Sequence, residues 1–367
     1  MKHINYMKSE SHTIMSTERI MWLDALRTIA IICVLTCHCL ESVYRIDSSH
    51  MMASSYASRI FAVVGISFGR LGVPFFLLIT GYLLLNRTYS TEKCMGFWKN
   101  KCVHLLVCAE LWIIFYWLFI NLHAGHELKL SVLLEEMLFL RESSANQLWY
   151  LPLIIGLYLL VPLAANALQT VDTRIIKILL MIYAAFAFGY PLVSTLFKIM
   201  GISHGLKLQF AMGFSGGAYG IYMISGFLMR KGWLAGIRSG ILALFAAVSF
   251  AFTVVFQFWA FAEGVDYELW YSFAGLFVCA VCLFELASRM KKIRFYKHLL
   301  RISYYSFAVY LIHNFFRIIL ESWITGLGIA RPLTVMILFI LTLGLSLAAA
   351  CVINRIPKIG KYILYTK

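Results

Sequence analysis

The sequence predicts an all-α integral membrane protein, a bundle of about ten transmembrane helices with both termini cytoplasmic. Three observations carry that expectation. Hydrophobic residues make up 61% of the 367-residue chain and charged residues 13%. A soluble domain holds about 45–50% apolar and about 25% charged residues, enough to cover its own surface. Apolar runs of bilayer-spanning length recur from Ile20 to Ile353. The basic residues, which give a net charge of +15, gather in alternate connections between those runs. That pattern reads as an orientation signal rather than a phosphate-tracking stripe, so nucleic acid is not an expected partner.

The chain divides into a polar tail at 1–19, a membrane domain at 20–353 and a short basic tail at 354–367. The first apolar run is too long and too charged for a cleavable signal. Runs that can cross a bilayer lie near 20–41, 60–85, 102–121, 148–168, 175–193, 209–229, 239–262, 269–288, 302–322 and 332–353. The second contains Arg70 and the sixth is rich in glycine, so these two are the least regular. Unpaired backbone is costly in hydrocarbon, which places the polar connections outside it. The tail, alternate connections and C-terminus hold 22 Lys and Arg, against 7 in the opposite connections. The richer side is the cytoplasmic one. In the longest outer connection, 122–147, Leu130–Leu140 reads as a short amphipathic helix or a solvated loop. The nine cysteines all fall outside the outer connections and read as free thiols. Cys279-x-x-Cys282 lacks the second pair or histidine that zinc needs nearby, so no metal is expected.

Charges inside the apolar runs carry the functional signal. A mid-membrane arginine costs about 2.5–3.5 kcal/mol or more, so Arg27, Arg70 and Arg317 should face the bundle interior. Asp24, Arg27 and His38 stand at offsets that share one helix face. Arg27 and His38 are separated by about 16 Å along the axis. Arg27 thus sits near the cytoplasmic end and His38 towards the outer side. The second run returns inward and brings Arg70 to about the depth of His38. His313, Arg317 and Glu321 form a third polar stripe at i, i+4 and i+8. Singly, Arg27 reads as an interfacial residue paired with Asp24, and His38 as an interhelical hydrogen bond. Together they describe a polar column between the two faces.

The motifs along this column resemble those of the acyltransferase 3 family of bacterial membrane acyltransferases. Arg27 followed after ten residues by His38 is similar to that family's Arg-x10-His signature. Arg70-Leu-Gly-Val-Pro74-Phe-Phe, continued by Thr80-Gly81-Tyr82, resembles its arginine and Pro-x-Phe-Phe…Ser/Thr-Gly-Tyr motif. Leu148-Trp149-Tyr150-Leu151 with Tyr158 and Pro162, Ser225-Gly226-Phe, and Ser303…Tyr310-Leu-Ile-His313 resemble three further elements. These span nearly the whole hydrophobic domain. One departure is Gln147, where many relatives carry histidine. A second is that no soluble extracytoplasmic domain follows the last span, so the standalone form is expected.

The resemblance implies a multi-pass enzyme of the bacterial inner membrane, with acetyl-CoA as donor. The implied acceptor is a lipid-linked sugar, lipopolysaccharide or exopolysaccharide. His38 is then the catalytic base or transient acyl carrier, because imidazole titrates near neutral pH. Arg70 would stabilise an oxyanion or phosphate, and Asp24 would hold Arg27. Arg27 and Arg19 would bind the donor. Trp149, Tyr150, Tyr82, His313 and Arg317 would contact the acceptor. A secondary transporter of a sugar or organic acid is the alternative from another class, since buried Arg and His suit that too.

Overall fold

The computed structural model describes residues 20–365 apart from 204, 206, 211, 214–215, 267–268 and 357–358. Arg19 lies outside the described residues. All regular structure among the described residues is helical. In chain order the helices are α1 (Met21–Tyr44), α2 (Ser48–Met52), α3 (Tyr56–Gly69), α4 (Gly72–Leu84) and α5 (Thr91–Phe97). They continue as α6 (Val103–Ala124), α7 (Leu130–Met137), α8 (Tyr150–Thr170), α9 (Thr173–Ile199) and α10 (Gly217–Arg230). The last are α11 (Ser239–Ala262), α12 (Ala274–Ser288), α13 (Tyr296–Thr325), α14 (Arg331–Ile353) and α15 (Ile359–Leu364). A π-helical turn, Trp98–Cys102, joins α5 to α6, and a 3-10 turn, Asn146–Trp149, leads into α8.

Among the described residues eight helices are long and apolar enough to cross a bilayer, and two shorter ones, Gly217–Arg230 and Ala274–Ser288, stand where the sequence places the sixth and eighth runs. The sixth and eighth are shorter than expected. Helix α10 starts at Gly217 rather than near 209. Gly216 and Gly217, before and at its start, have φ of 75° and 59°, a left-handed backbone that glycine adopts freely and that keeps the helix from extending further back. Its 14 residues rise about 21 Å, less than the roughly 30 Å of a hydrocarbon core. Helix α12 begins at Ala274, so Trp270 and Tyr271, read as part of a span, lie in non-helical chain. The amphipathic segment in the long connection is a helix, α7.

Burial separates a central pair of spans from a lipid-facing shell. In the most apolar stretch of α1, 72% of residues are buried within the protein, and in the α3–α4 span 78%. The six other long spans bury 44% or less of theirs. Large apolar side chains such as Leu163, Ile178, Leu244, Val255 and Ile340 point outward from that shell, as a surface solvated by lipid tails requires. Helix α1 packs on α13, α3 and α4, and α13 packs on α14. The Thr28 hydroxyl ties α1 to α13 by donating to the Leu299 carbonyl at 2.8 Å.

The α3–α4 span is interrupted at Arg70–Leu71, and the local sequence explains why. Pro74 lacks an N–H and suits the first turn of a new helix. Glycines flank the break where α1 crosses it. A Cβ on Gly69 would lie 2.8 Å from Cys37 Cβ, and one on Gly72 would lie 2.7 Å from the Ala30 carbonyl oxygen. The two glycines let α1 approach the backbone, and the break turns Arg70 inward towards it. At the other extremity, α15 (Ile359–Leu364) lies back against the bundle. Helix α15 packs against α6, α13 and α14, and Trp112 Nε1 donates to the Ile363 carbonyl at 2.7 Å.

Candidate active site

Asp24 organises the first end of the polar column. It is buried and accepts bonds from Arg27 (3.0 Å), Tyr296 (2.9 Å) and Ser303 (2.9 Å). A carboxylate this enclosed needs such donors to stay in the interior. Two of them come from α13, so the pairing that sets Arg27 also clamps α1 to α13. Arg27 itself remains partly exposed.

The second end is built around His38. His38 Nδ1 lies 3.0 Å from Glu41 Oε2, one turn further along α1. The other Glu41 oxygen accepts from Arg70 at 2.6 Å. Arg70 is buried and enclosed by aromatic rings: its guanidinium carbon lies 4.3 Å from the Trp270 ring centre and 5.5 Å from that of Tyr271. It also donates to Tyr271 Oη at 3.3 Å. Trp270 and Tyr271 reach it from the non-helical chain before α12. An ionised carboxylate only accepts, so Nδ1 carries the hydrogen, and in the neutral ring Nε2 keeps its lone pair. His313 stacks on the His38 ring at 5.2 Å and 28°. Its Nδ1 faces the Tyr310 carbonyl at 2.7 Å, so its proton is used on the backbone. The His313 ring therefore packs against His38 and steadies it.

One cavity of about 350 Å³ joins the two ends. Arg27, Arg87 and Lys101 line it at the Asp24 end; His38, Gln147, Trp149 and Tyr150 line it at the other. Between them the wall is apolar, with Val73, Phe76 and Ile79 from α4 and Phe307 from α13. Lys101 sits in the π-helical turn, a local widening of the helix found often at functional sites. Tyr365, just after α15, closes the same end, its ring 5.6 Å from Lys101 Nζ.

The structure thus brings Asp24, Arg27, His38 and Arg70 into one system, although Arg70 acts on His38 through Glu41 and does not itself line the cavity. Trp149 and Tyr150 do line it, with Trp149 stacked on Tyr271 at 5.5 Å. The other three residues expected to contact the acceptor stand outside the lining because each is engaged within the protein. Tyr82 packs edge-on against Trp22 at 5.2 Å, with the Arg230 guanidinium over its ring. His313 is fully buried behind His38. Arg317 is held by Asn314 at 2.6 Å and Glu321 at 2.7 Å. Asn314 in turn donates to the Gln147 side chain at 2.6 Å, so this stripe buttresses the cavity wall from behind.

Glu41 is the residue that sequence reasoning passed over. It extends the Asp24–Arg27–His38 face by one more turn, but at the end of a span a glutamate reads as solvated. Replacing it tests its part. Glu41→Gln keeps the shape but lets an amide N–H face Nδ1, which selects the wrong imidazole tautomer. The expected loss in kcat is about 100-fold with little change in donor KM. A kcat equal to wild type would reduce the contact to packing.

The cavity thus has cations at one end and a carboxylate-held imidazole at the other, an arrangement suited to a membrane-embedded enzyme of polar group transfer. The chain belongs to the acyltransferase 3 family: the family model described as an acyltransferase domain matches residues 20–351, nearly the whole chain. It is a membrane acyltransferase, which sets this reading above the transporter alternative. No curated protein and no solved structure matches the chain.

Proposed function

We propose that the protein moves an acyl group, acetyl in the simplest case, from cytoplasmic acyl-CoA to a hydroxyl of a cell-envelope glycan or lipid-linked saccharide, in the bacterial inner membrane. The observation that carries this reading is the single cavity with Arg27, Arg87 and Lys101 at one end and His38 at the other. Coenzyme A is polyanionic, and three cations around one mouth suit its phosphates. The distribution of Lys and Arg along the chain supports that mouth being the cytoplasmic one.

At the inner end of the cavity, His38 Nε2 accepts the proton of the acceptor hydroxyl as its oxygen attacks the thioester carbonyl. The new C–O bond forms and the C–S bond breaks. The imidazolium then returns the proton to the departing sulfur, giving the ester and free CoA. Glu41 holds the ring and balances the charge it gains for that interval, and Arg70 keeps Glu41 in place. Gln147 lines this end of the cavity, its side-chain oxygen accepting from Asn314. Its amide N–H is the donor for the carbonyl oxygen as negative charge develops there. It stands where many relatives carry histidine, and an amide fills a donor's role without a proton to transfer. Trp149 and Tyr150 offer an aromatic wall to a sugar ring.

Membranes containing the protein, incubated with labelled acetyl-CoA and candidate envelope glycans, should pass label to the glycan. Label that stays on CoA with every hydroxyl acceptor would overturn the reading. A second measurement addresses the donor mouth: Arg27→Ala should raise the KM for acetyl-CoA about tenfold. An unchanged KM would leave the Asp24–Arg27 pair as a clamp between α1 and α13.

A further inference from the structure

A second cavity, of about 900 Å³, lies among the end of α6, α7 and the chain leading to the 3-10 turn at Asn146–Trp149. Its wall includes Trp117, Asn121, Glu136, Arg141, Glu142 and Asn146. Glu136 is the informative member. It is 2% exposed, and one carboxylate oxygen accepts from the Ser144 hydroxyl at 2.5 Å. The other, Oε2, is buried with no hydrogen-bond partner among the described residues. A buried carboxylate oxygen without a donor is costly, and such groups in folded proteins normally find one. The basic residues of the wall do not supply it. Arg141 pairs with Glu135 at 3.3 Å, and Lys129 lies 3.8 Å from Glu127.

The arrangement suits a ligand made of hydroxyl groups. Carboxylates accept from hydroxyls, side-chain amides and a guanidinium both approach them, and an indole covers the apolar face of a ring. The cavity is also adjacent to the first. Asn146 lines this one, and Gln147, the next residue, lines the cavity of His38. The 3-10 turn is therefore a shared wall. We propose that this second cavity is a saccharide subsite, which holds a sugar unit of the acceptor glycan beside the unit that receives the acyl group, with Glu136 accepting its hydroxyl hydrogen bonds. This rests on the glycan-acylation reading above and adds the acceptor's extended, oligomeric form to it.

The test uses the full chain purified in detergent and a panel of neutral hexose oligosaccharides of increasing length, with binding read by calorimetry. The wild type should bind the longer members. Glu136→Gln should weaken that binding about tenfold, the loss typical of a hydrogen bond to a charged group. In transfer assays the same variant should lower the ratio of kcat/KM for long against single-sugar acceptors by about as much. Glu142→Ala, at an exposed side chain, tests the wall without touching a buried group and should also weaken binding. Wild-type affinity in both variants, or no binding of any member by the wild type, would overturn the subsite. Binding that depends on Glu136 in a protein that transfers no acyl group would leave the subsite standing and overturn the transfer reading. Transfer that is indifferent to Glu136 would do the reverse.

Discussion

A His38→Ala variant should insert and fold as the wild type does while losing acyl transfer by about two to four orders of magnitude. The size of the loss follows from the geometry. His38 is the one side chain on the cavity wall whose free nitrogen is defined by its partner, since Glu41 at 3.0 Å fixes the hydrogen on Nδ1. Among the described residues no other imidazole lines the cavity, and the neighbouring His313 has its Nδ1 committed to the backbone and is fully buried. Folding should survive because the His38 side chain is 22% exposed to the cavity and its removal strands no charge. Glu41 keeps Arg70. Label transfer from acetyl-CoA and a thermal melt in detergent read the two halves of the prediction separately. Transfer at the wild-type rate would sink the assignment of His38. Donor alone, without acceptor, also separates the two chemistries open to the ring: an acyl group trapped on the protein marks a carrier, and its absence in a competent enzyme marks a base.

Much of this site was legible because helices convert spacing into position. Asp24, Arg27 and His38 fall on one face of one helix, so their alignment follows from 3.6 residues per turn. The cost of a buried guanidinium announces that Arg70 has partners, but spacing could not name them. They come from two places the sequence disguises. Glu41 sits where a span ends and a charge usually meets water. Trp270 and Tyr271 sit in chain so apolar that it reads as helix, and only the start of α12 at Ala274 frees their rings to enclose Arg70. Lys101 and Arg87 were visible as orientation signals; that they also line a cavity depends on the π-helical turn and on α15 folding back, which are tertiary facts. His313 and Arg317 show the opposite case. Their i, i+4 spacing with Glu321 is real, yet α13 spends it on internal support for His38 and Gln147 rather than on a ligand.

Replacing Gly81 or Gly226 should have the largest effect on folding of any single change considered, although neither touches the proposed chemistry. Helices α4 and α10 cross with a glycine from each at the contact. A Cβ on Gly81 would fall on the Met223 carbonyl, and one on Gly226 would fall on the Leu78 carbonyl. Both obstacles are backbone, so no rotamer change relieves them. In lipid the helices gain little from hiding apolar surface from each other, and close backbone approach through small residues carries the association. Overpacking a tight core costs about 1–3 kcal/mol where side chains can yield, and here they cannot. The damage should reach the active site as well. Helix α4 supplies much of the cavity's apolar wall, and Tyr222 of α10 donates to the Tyr271 carbonyl at 2.9 Å, positioning the ring that caps Arg70. Gly81→Val and Gly226→Val should therefore give little monodisperse protein, and the milder alanine variants should lower the melting temperature and the transfer rate together. Gly156→Ala is the control. An added methyl there meets nothing within 4 Å, so it should match the wild type or gain about 0.5–1 kcal/mol from the stiffer backbone. Equal melting of all three alanine variants would remove the close crossing. Separation of Gly81 and Gly226 from Gly156 would assign the Thr-Gly-Tyr and Ser-Gly-Phe motifs to packing, as the hinge-free joint against which the His38 site is built.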